Sequence, residues 1–309
     1  MNGAWMAAKL LRAAATLLLA VTVVFIVLRL AGDPAEILFG DNVGEESLIR
    51  YRALWGLDQP LGVQYLLYLR SLLLGDFGLS SQSGASAWQL MMGRLPYTLQ
   101  LGGVSLLLAV LIGIPAGVAA ALARGSLTDR VVMLAAVSSF CIPNFVLGVV
   151  LILVFAEQFG WLPSHGTGGI WHLVLPALTL GTGWAGVLAR FARSAMLEVL
   201  GQPYIRGARA SGLTEGRVRW RHALPNAAIP LVTILGFMVG GLVAGAIVTE
   251  SIFAWPGVGR LLVDSVKLRD LAVVQAIVLM VAATMVAANL VVDVLSAWLN
   301  PRLHAATGA

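Results

Sequence analysis

Charged residues are scarce in this sequence of 309 residues. Asp, Glu, Lys and Arg together make up 11% of it, whereas hydrophobic residues make up 59% and the mean hydropathy is +0.89. A soluble protein needs polar residues to cover its surface, but a surface that faces lipid does not. The composition therefore excludes an ordinary soluble globular protein and indicates a membrane protein.

Cysteine, lysine and histidine are also scarce, and each scarcity excludes a kind of chemistry. Cys141 is the only cysteine, which excludes an intrachain disulfide and a cysteine-based metal cage. Neither Lys9 nor Lys267, the only lysines, follows a glycine as the phosphate-binding GxxxxGK[ST] loop requires. His165 and His172 share one predicted loop, where a metal site is the less favoured alternative. We therefore predict no catalytic residue, no cofactor and no metal ligand on this chain.

Long stretches without a charged residue are abundant. Crossing a hydrocarbon core of roughly 30 Å takes about 20 apolar residues in a helix. The fourth of these stretches opens with polar, glycine-rich sequence, so its helix is predicted to begin near Leu173. The stretches are residues 13–28, 95–123, 131–156, 158–189, 222–249 and 271–292. They predict an all-α polytopic membrane protein with six transmembrane helices.

The distribution of charge predicts how these helices are oriented. With the N-terminus in the cytoplasm, the cytoplasmic side holds 12 of the 20 basic residues and four acidic ones. Cytoplasmic loops of membrane proteins are enriched in Lys and Arg, so both termini are predicted to be cytoplasmic. The first apolar stretch also resembles a signal peptide, but Arg29 follows it directly and no small-x-small cleavage site is present, which favours an uncleaved anchor. The basic balance thus reflects topology, and no nucleic-acid-binding motif accompanies it.

Three segments follow from this topology. Residues 1–31 hold the first transmembrane helix, residues 32–94 form an extracytoplasmic segment, and residues 95–309 form a five-helix core. In the second segment, the spacing of Leu and Tyr in GVQYLLYLRSLLLGDFG predicts an amphipathic helix that ends at Gly75. That helix either lies along the membrane or presents a docking surface.

Four residues inside the predicted spans are candidates for a pathway or gate. Pro143 and Asn144 predict a kink in the third span, and Gly236 and Gly240 allow close approach in the fifth. Tight packing between helices is the favoured alternative for most of the glycines.

The charge that the sequence does have is concentrated in one long cytoplasmic loop, residues 190–225. Five arginines lie between Arg206 and Arg221. Gly201 and Pro203 are predicted to end the preceding helix.

The sequence of the loop predicts two short helices joined by a glycine turn. A short helix is predicted from Tyr204 to Ala210, and Gly212 supplies the positive φ that stops it. Thr214 is a plausible N-cap for a second helix, with Glu215 in its first turn. That second helix is predicted to end at Leu224, because Pro225 follows. A loop whose only role is to fix the topology needs the arginines, but it does not need glycine and proline residues that set the ends of helices.

A transporter driven by separate subunits fits these features best. A stand-alone secondary carrier or channel predicts ionisable groups inside the bilayer or inverted repeats, and neither is evident. A receptor or scaffold predicts a signalling domain, for which the chain has no room.

The loop resembles the EAA motif of binding-protein-dependent ABC importers. That motif runs Glu-Ala-Ala, three residues, Gly, nine residues, Ile-x-Leu-Pro. Gly212 takes the glycine position, and Leu224-Pro225 keeps its spacing, with His222 at the Ile position. The leading glutamate is replaced by Arg206, a departure typical of the dipeptide/oligopeptide/nickel permease branch, whose loop resembles YIRGARASGL.

Further segments resemble that branch in family order across nearly the whole chain. They are GLDQPLGVQY, RLPYTLQL, WLP, HLVLPALTLG and FAWPGVGRLLVDSV. One departure follows Arg269-Asp270, where relatives often have Tyr-Pro and this chain has Leu-Ala.

The resemblance implies a type I ABC importer permease subunit in a bacterial inner membrane. It implies a second homologous permease, two cytoplasmic ATPase subunits that bind ATP and Mg, and an extracytoplasmic substrate-binding protein, all assembled in membrane lipid. The loop would be the coupling element, with close approach at Ala208 and Gly212. The residues implied in coupling are Arg206, Ala208, Arg209, Gly212, Leu213, Glu215, Leu224 and Pro225. Peptide import leads, and import of nickel or a metal chelate is the alternative.

Overall fold

The computed structural model describes residues 3–31, 49–50, 52–53 and 56–299. Most of this part is helical, and its β pairing is confined to an isolated bridge between Leu79 and Ser86. The helices are α1 (Gly3–Ala31), α2 (Leu61–Leu73), α3 (Ala87–Leu122), α4 (Leu127–Cys141), α5 (Asn144–Leu151), α6 (Ile170–Leu200), α7 (Pro203–Ala210), α8 (Glu215–Arg217), α9 (Leu224–Gly240), α10 (Leu242–Gly245), α11 (Ile247–Ile252), α12 (Val258–Lys267) and α13 (Leu271–Leu299), with π-helical segments at Ile152–Gln158 and Val218–Ala223.

Within the described residues, five helical stretches are long and apolar enough to cross a membrane. They are residues 3–30 of α1, α3, α6, the continuous stretch Glu215–Gly240, and residues 271–295 of α13. A sixth crossing is formed if α4 and the stretch Asn144–Gln158 count as one broken span, since they bend by 99° at their junction. Pro143 caps α5 there with φ −58° and ψ 136°, and it has no N–H to continue α4. The predicted all-α fold with six transmembrane helices is confirmed in this sense, and so is the break at Pro143.

Residues 99–255 and 288–299 form one compact unit, in which α6 is the most buried helix. Small residues set its distance to α3. A Cβ atom on Gly113 would lie 2.5 Å from the carbonyl oxygen of Ala185, and one on Gly117 would collide with the carbonyl oxygen of Ala189. Only glycine permits backbones to approach this closely, so the sequence GIPAG at residues 113–117 packs α3 directly on α6.

The described residues among 3–98, together with residues 256–287, form the other compact unit. Here α1 and α2 meet through a hydrogen bond between Thr22 Oγ1 and the Tyr65 hydroxyl at 2.7 Å. The backbone N–H of Val258, at the start of α12, donates to Thr98 Oγ1 at 2.8 Å. The amphipathic helix predicted in the extracytoplasmic segment is α2, which ends at Leu73 and is followed by Gly75 with a positive φ of 78°.

Two predicted spans have different limits in the structure. The fourth begins at Ile170, slightly before the predicted Leu173. The fifth is not one helix over its charge-free stretch, because α9 ends at Gly240 and two short helices follow before Phe253. Glycine is costly inside a helix because its unfolded backbone is so flexible, and Gly240, Gly241 and Gly245 cluster at this interruption.

Candidate functional site

At its start, the arginine-rich loop, residues 201–225, folds as its glycine and proline residues predict. α6 ends at Leu200 and α7 begins with Pro203 in its first turn, where the missing N–H costs nothing. At the other end of α7, Gly212 adopts a φ of +79°. The N–H of Gly212 donates to Arg209 O at 3.0 Å, and that of Leu213 donates to Ala208 O at 3.3 Å. This pair of bonds around a left-handed residue is a Schellman motif, so the helix stop predicted at Gly212 is confirmed.

The second half of the loop differs from the prediction. Glu215 lies in the first turn of α8, as predicted, and Thr214 occupies the N-cap position with an extended backbone, but its side chain forms no capping hydrogen bond. The helix does not end at Leu224, however: it continues through the π-helical segment Val218–Ala223 into α9. Pro225 then occupies the first turn of α9, where no N–H is needed from it. The prediction that Pro225 ends the helix is wrong because a π-helical turn shifts the hydrogen-bonding register just before it.

One face of the loop is held against the protein by buried apolar side chains. Ile205 and Val218 are fully buried. They belong to one hydrophobic cluster with Met196 of α6, and Leu213 packs against the same cluster from the turn. Ala208 packs there as well, so the two residues joined by the Schellman bond also share an apolar contact. The cluster fixes the position of α7 relative to α6.

The other face of the loop is charged and exposed. Arg209 Nε donates to Glu215 Oε1 at 2.8 Å, and Arg219 Nε lies 3.6 Å from Glu215 Oε2. The Arg209 hydrogen bond is the main cause that lowers the pKa of Glu215 below its ordinary value. These side chains are roughly half exposed, so the pairs add little stability. They hold the end of α7 and the start of α8 together across the glycine turn, while Arg206 points outward, exposed.

The four pathway candidates lie in three different parts of the first compact unit. Pro143 and Asn144 stand at the break between α4 and α5. A Cβ atom on Gly236 would collide with the side chain of Val292 on α13, and Gly240 is buried at the end of α9. The structure thus gives Gly236 a packing contact, and it does not gather the four residues into one site.

Sequence reasoning missed an ion pair between α4 and α6. Arg193 donates to both carboxylate oxygens of Asp129, at 2.5 Å and 2.8 Å, and the N–H of Gly125 donates to the same carboxylate at 3.0 Å. Such bidentate pairs are among the strongest ionic contacts in proteins. The signal for it was Asp129 itself, one of few acidic residues on a side otherwise rich in arginine.

Of the two loop histidines, His165 bonds to its sequence neighbour, whereas Nδ1 of His172 is buried without a hydrogen-bond partner in the described part of the chain. His165 Nδ1 forms a hydrogen bond with Ser164 Oγ at 2.8 Å. Across the described ranges, three or more His, Cys, Asp or Glu side chains nowhere come together as metal ligands would.

Two protein families match this chain over most of its length. Residues 4–102 match the family described as the N-terminal part of binding-protein-dependent transport system membrane components. Residues 113–305 match the family described as binding-protein-dependent transport system inner membrane components.

Relatives agree with these matches. The glutathione transport system permease protein GsiC of Salmonella choleraesuis is 43% identical over 297 residues, which are 96% of this chain and 97% of that protein. The protein of the same name from Escherichia coli K12 is 42% identical over the same coverage. Among solved structures, an inward-facing conformation of the MetNI methionine ABC transporter covers 69% of this chain and 97% of its own, with a TM-score of 0.56 and 22% identity, which supports the fold. The chain therefore belongs to the binding-protein-dependent family of inner-membrane transport components and is a multi-pass permease subunit of an ABC importer.

Proposed function

We propose that this permease forms half of a pathway for small peptides and that the arginine-rich loop is the element through which the ATPase subunits drive it. The observation that carries the second part is the division of the loop into an anchored face and an exposed charged face. We further propose that both chain termini and the loop lie in the cytoplasm, as the positive-inside rule favours.

The shape of the loop suits the transmission of motion. α7 is short, its apolar side is packed on α6 through Ile205, and the glycine turn at Gly212 directs the chain into α8. A partner that pushes on α7 must move α6 with it, because a packed interface shifts as a rigid body rather than deforming. Arg206 and Arg209 present their guanidinium groups on the side that a partner can reach.

A cysteine placed in the glycine turn tests both the contact and the orientation. In a Cys141→Ser background, Ser211→Cys places an exposed thiol beside Gly212, and Ser83→Cys places a matched exposed thiol in the predicted extracytoplasmic segment. We expect a short bifunctional reagent to join position 211, and not position 83, to an ATPase subunit. We also expect an impermeant maleimide to label position 83 in intact cells and position 211 only after the inner membrane is opened.

The opposite labelling pattern would show that the orientation is reversed. A thiol at 211 that is cytoplasmic but never joins an ATPase subunit would refute the coupling role alone.

The substrate is proposed from relatives and from sequence motifs together. The relatives at 42–43% identity over 96% of this chain carry the name glutathione transport permease. Glutathione is a tripeptide, and the motifs of this chain resemble the dipeptide/oligopeptide branch. A small peptide is therefore the proposed substrate class, with glutathione the first compound to test. The extracytoplasmic binding protein would deliver it to this subunit and a second homologous permease, above two ATPase subunits.

Calorimetry on the cognate binding protein tests the substrate class. We expect tight binding of glutathione or of another small peptide and no binding of nickel or nickel chelates. Binding of the metal alone would move the importer to the nickel side of the family while leaving the role of the loop untouched.

A further inference from the structure

A cavity of about 900 Å³ lies in the second compact unit, among α1, α2, the turns that follow α2 and the first turn of α13. Its wall is distinct from the arginine-rich loop and contains none of the pathway candidates. Leucine side chains from α1 and α2 line part of it. The remainder carries charged and hydroxyl groups of both signs, namely Arg29, Tyr68, Arg70, Asp76, Ser81 and Asp270.

One part of the wall is anionic and buried. Asp270 is 3% exposed, and its carboxylate accepts hydrogen bonds from the Ser80 hydroxyl and, at 3.3 Å, from the backbone N–H of Ser81. Within the ranges that the structure describes, no cationic side chain forms an ion pair with it. A buried carboxylate without a cation is costly, so the site favours a cationic group that enters the cavity. Asp76, at the same wall, adds a second carboxylate.

Another part of the wall offers hydrogen-bond donors. The hydroxyl groups of Tyr68 and Ser81 are both buried, and neither has a hydrogen-bond partner in the described part of the chain. The Tyr68 ring lies 5.4 Å from that of Phe25, whose face also carries the Arg29 guanidinium at 5.2 Å. Burial raises the pKa of Tyr68, which keeps its hydroxyl a neutral donor. Buried hydroxyl groups without a partner favour a ligand atom that accepts a hydrogen bond, such as an anionic oxygen.

A ligand that suits both the buried carboxylate and the unpartnered hydroxyl groups is a zwitterion. In such a molecule an anionic group and an ammonium group are joined by a short linker. A phospholipid with a primary-amine headgroup and a small peptide both have this chemistry. We propose that the cavity binds the headgroup of phosphatidylethanolamine from the surrounding membrane.

The lipid is favoured over the peptide by where the cavity lies on α1. Only 6% of the most apolar stretch of α1 is buried inside the protein, so most of this apolar surface is open to lipid. Arg29 follows its apolar run directly, and basic residues at the end of a span lie at the level of the headgroups. Leu28 and Leu67 line the same cavity and can pack on acyl chains below the headgroup.

Native mass spectrometry of the purified, intact transporter complex tests this proposal. The complex is titrated with dioleoyl phosphatidylethanolamine, with dioleoyl phosphatidylglycerol and with glutathione. We expect the Tyr68→Phe variant to bind phosphatidylethanolamine about tenfold more weakly, since one hydrogen bond to a charged group is lost. Tyr65→Phe is the matched control, because Tyr65 lies one turn earlier on α2 and its hydroxyl bonds to Thr22 instead of lining the cavity.

A second variant tests the ammonium end. In Asp270→Asn the carboxylate charge is removed, so we expect the preference for phosphatidylethanolamine over phosphatidylglycerol to be lost.

Three results would overturn the proposal. The first is an equal affinity of the Tyr68→Phe and Tyr65→Phe complexes for phosphatidylethanolamine. The second is no preference of the unmodified complex for this lipid over phosphatidylglycerol. The third is displacement of the bound lipid by glutathione, which would assign the cavity to a peptide. The readout is lipid binding rather than uptake, so it stands or falls separately from the proposed peptide import.

Discussion

Replacing Gly212 with valine tests whether the shape of the arginine-rich loop drives transport. Gly212 has a φ of +79°, and a Cβ atom built there would meet no other atom within 4 Å. A substitution at this position therefore acts through backbone strain and not through a collision inside the chain. A left-handed residue with a side chain costs about 1–2 kcal/mol, and β-branched valine lies at the upper end of that range.

That strain is large enough to change the state of the turn. Roughly 1.4 kcal/mol corresponds to a tenfold change in an equilibrium constant, so valine shifts the turn away from its native form by about tenfold or more. The bonds that are lost first are those from the N–H groups of Gly212 and Leu213 to the last carbonyls of α7. α7 then loses its fixed end, and Leu213 leaves the cluster that anchors the loop.

The assay measures ATP hydrolysis stimulated by the loaded binding protein, together with peptide uptake, in proteoliposomes with equal amounts of complex. We expect Gly212→Val to reduce both strongly while membrane insertion stays normal. Gly212→Asn is the matched control, because asparagine tolerates the left-handed conformation far better than valine. Normal stimulation and uptake in Gly212→Val would refute the coupling role of this turn, as would an equal loss in both variants.

Two further predictions concern packing. Gly113→Leu should lower the melting temperature of the complex, because its Cβ would lie 2.5 Å from the carbonyl oxygen of Ala185. Gly103→Ala, which has open space at the Cβ, should not lower it, and equal melting temperatures would contradict the close packing of α3 on α6. Ile205→Ala removes a fully buried side chain, which costs about 2–5 kcal/mol in a core, and should make the loop more sensitive to trypsin. Arg206→Ala should leave melting unchanged and weaken binding of the ATPase subunits, measured by co-purification, and a loss of stability there instead would contradict the division of the loop into two faces.

The loop was predictable where its structure depends on local backbone chemistry. A positive φ at Gly212 follows from the need to stop α7, and it is a property of one residue. The continuation past Pro225 was not predictable in the same way. Proline blocks a helix where its N–H is needed, and the π-helical turn that changes this need lies where Val218 is buried in a cluster with residues of α6.

Of the breaks inside the apolar stretches, one was predictable from the sequence and the other was not. The sequence does predict the break at Pro143, because its missing N–H disfavours continuation of α4, although Pro176 and Pro230 lie inside α6 and α9 without ending them. The interruption after Gly240 carries no comparable signal, since glycines are common in membrane helices and most of them serve packing. Gly236 illustrates this, because only its contact with Val292 shows that it packs on α13. Uniform hydrophobicity identifies a span but does not locate its breaks.

Two neighbouring residues in α7 have different roles, since one anchors the loop and the other is exposed to a partner. Ile205 is fully buried and Arg206 is exposed, although they are adjacent in sequence. The ion pairs on the exposed face are worth little to stability, so the backbone turn and the buried cluster must hold the loop in shape. Most of the charge that the sequence concentrates there therefore adds little to folding. That charge remains available to a partner. Availability for binding is therefore the physical reason why an otherwise apolar chain has arginines at the surface of so rigid an element.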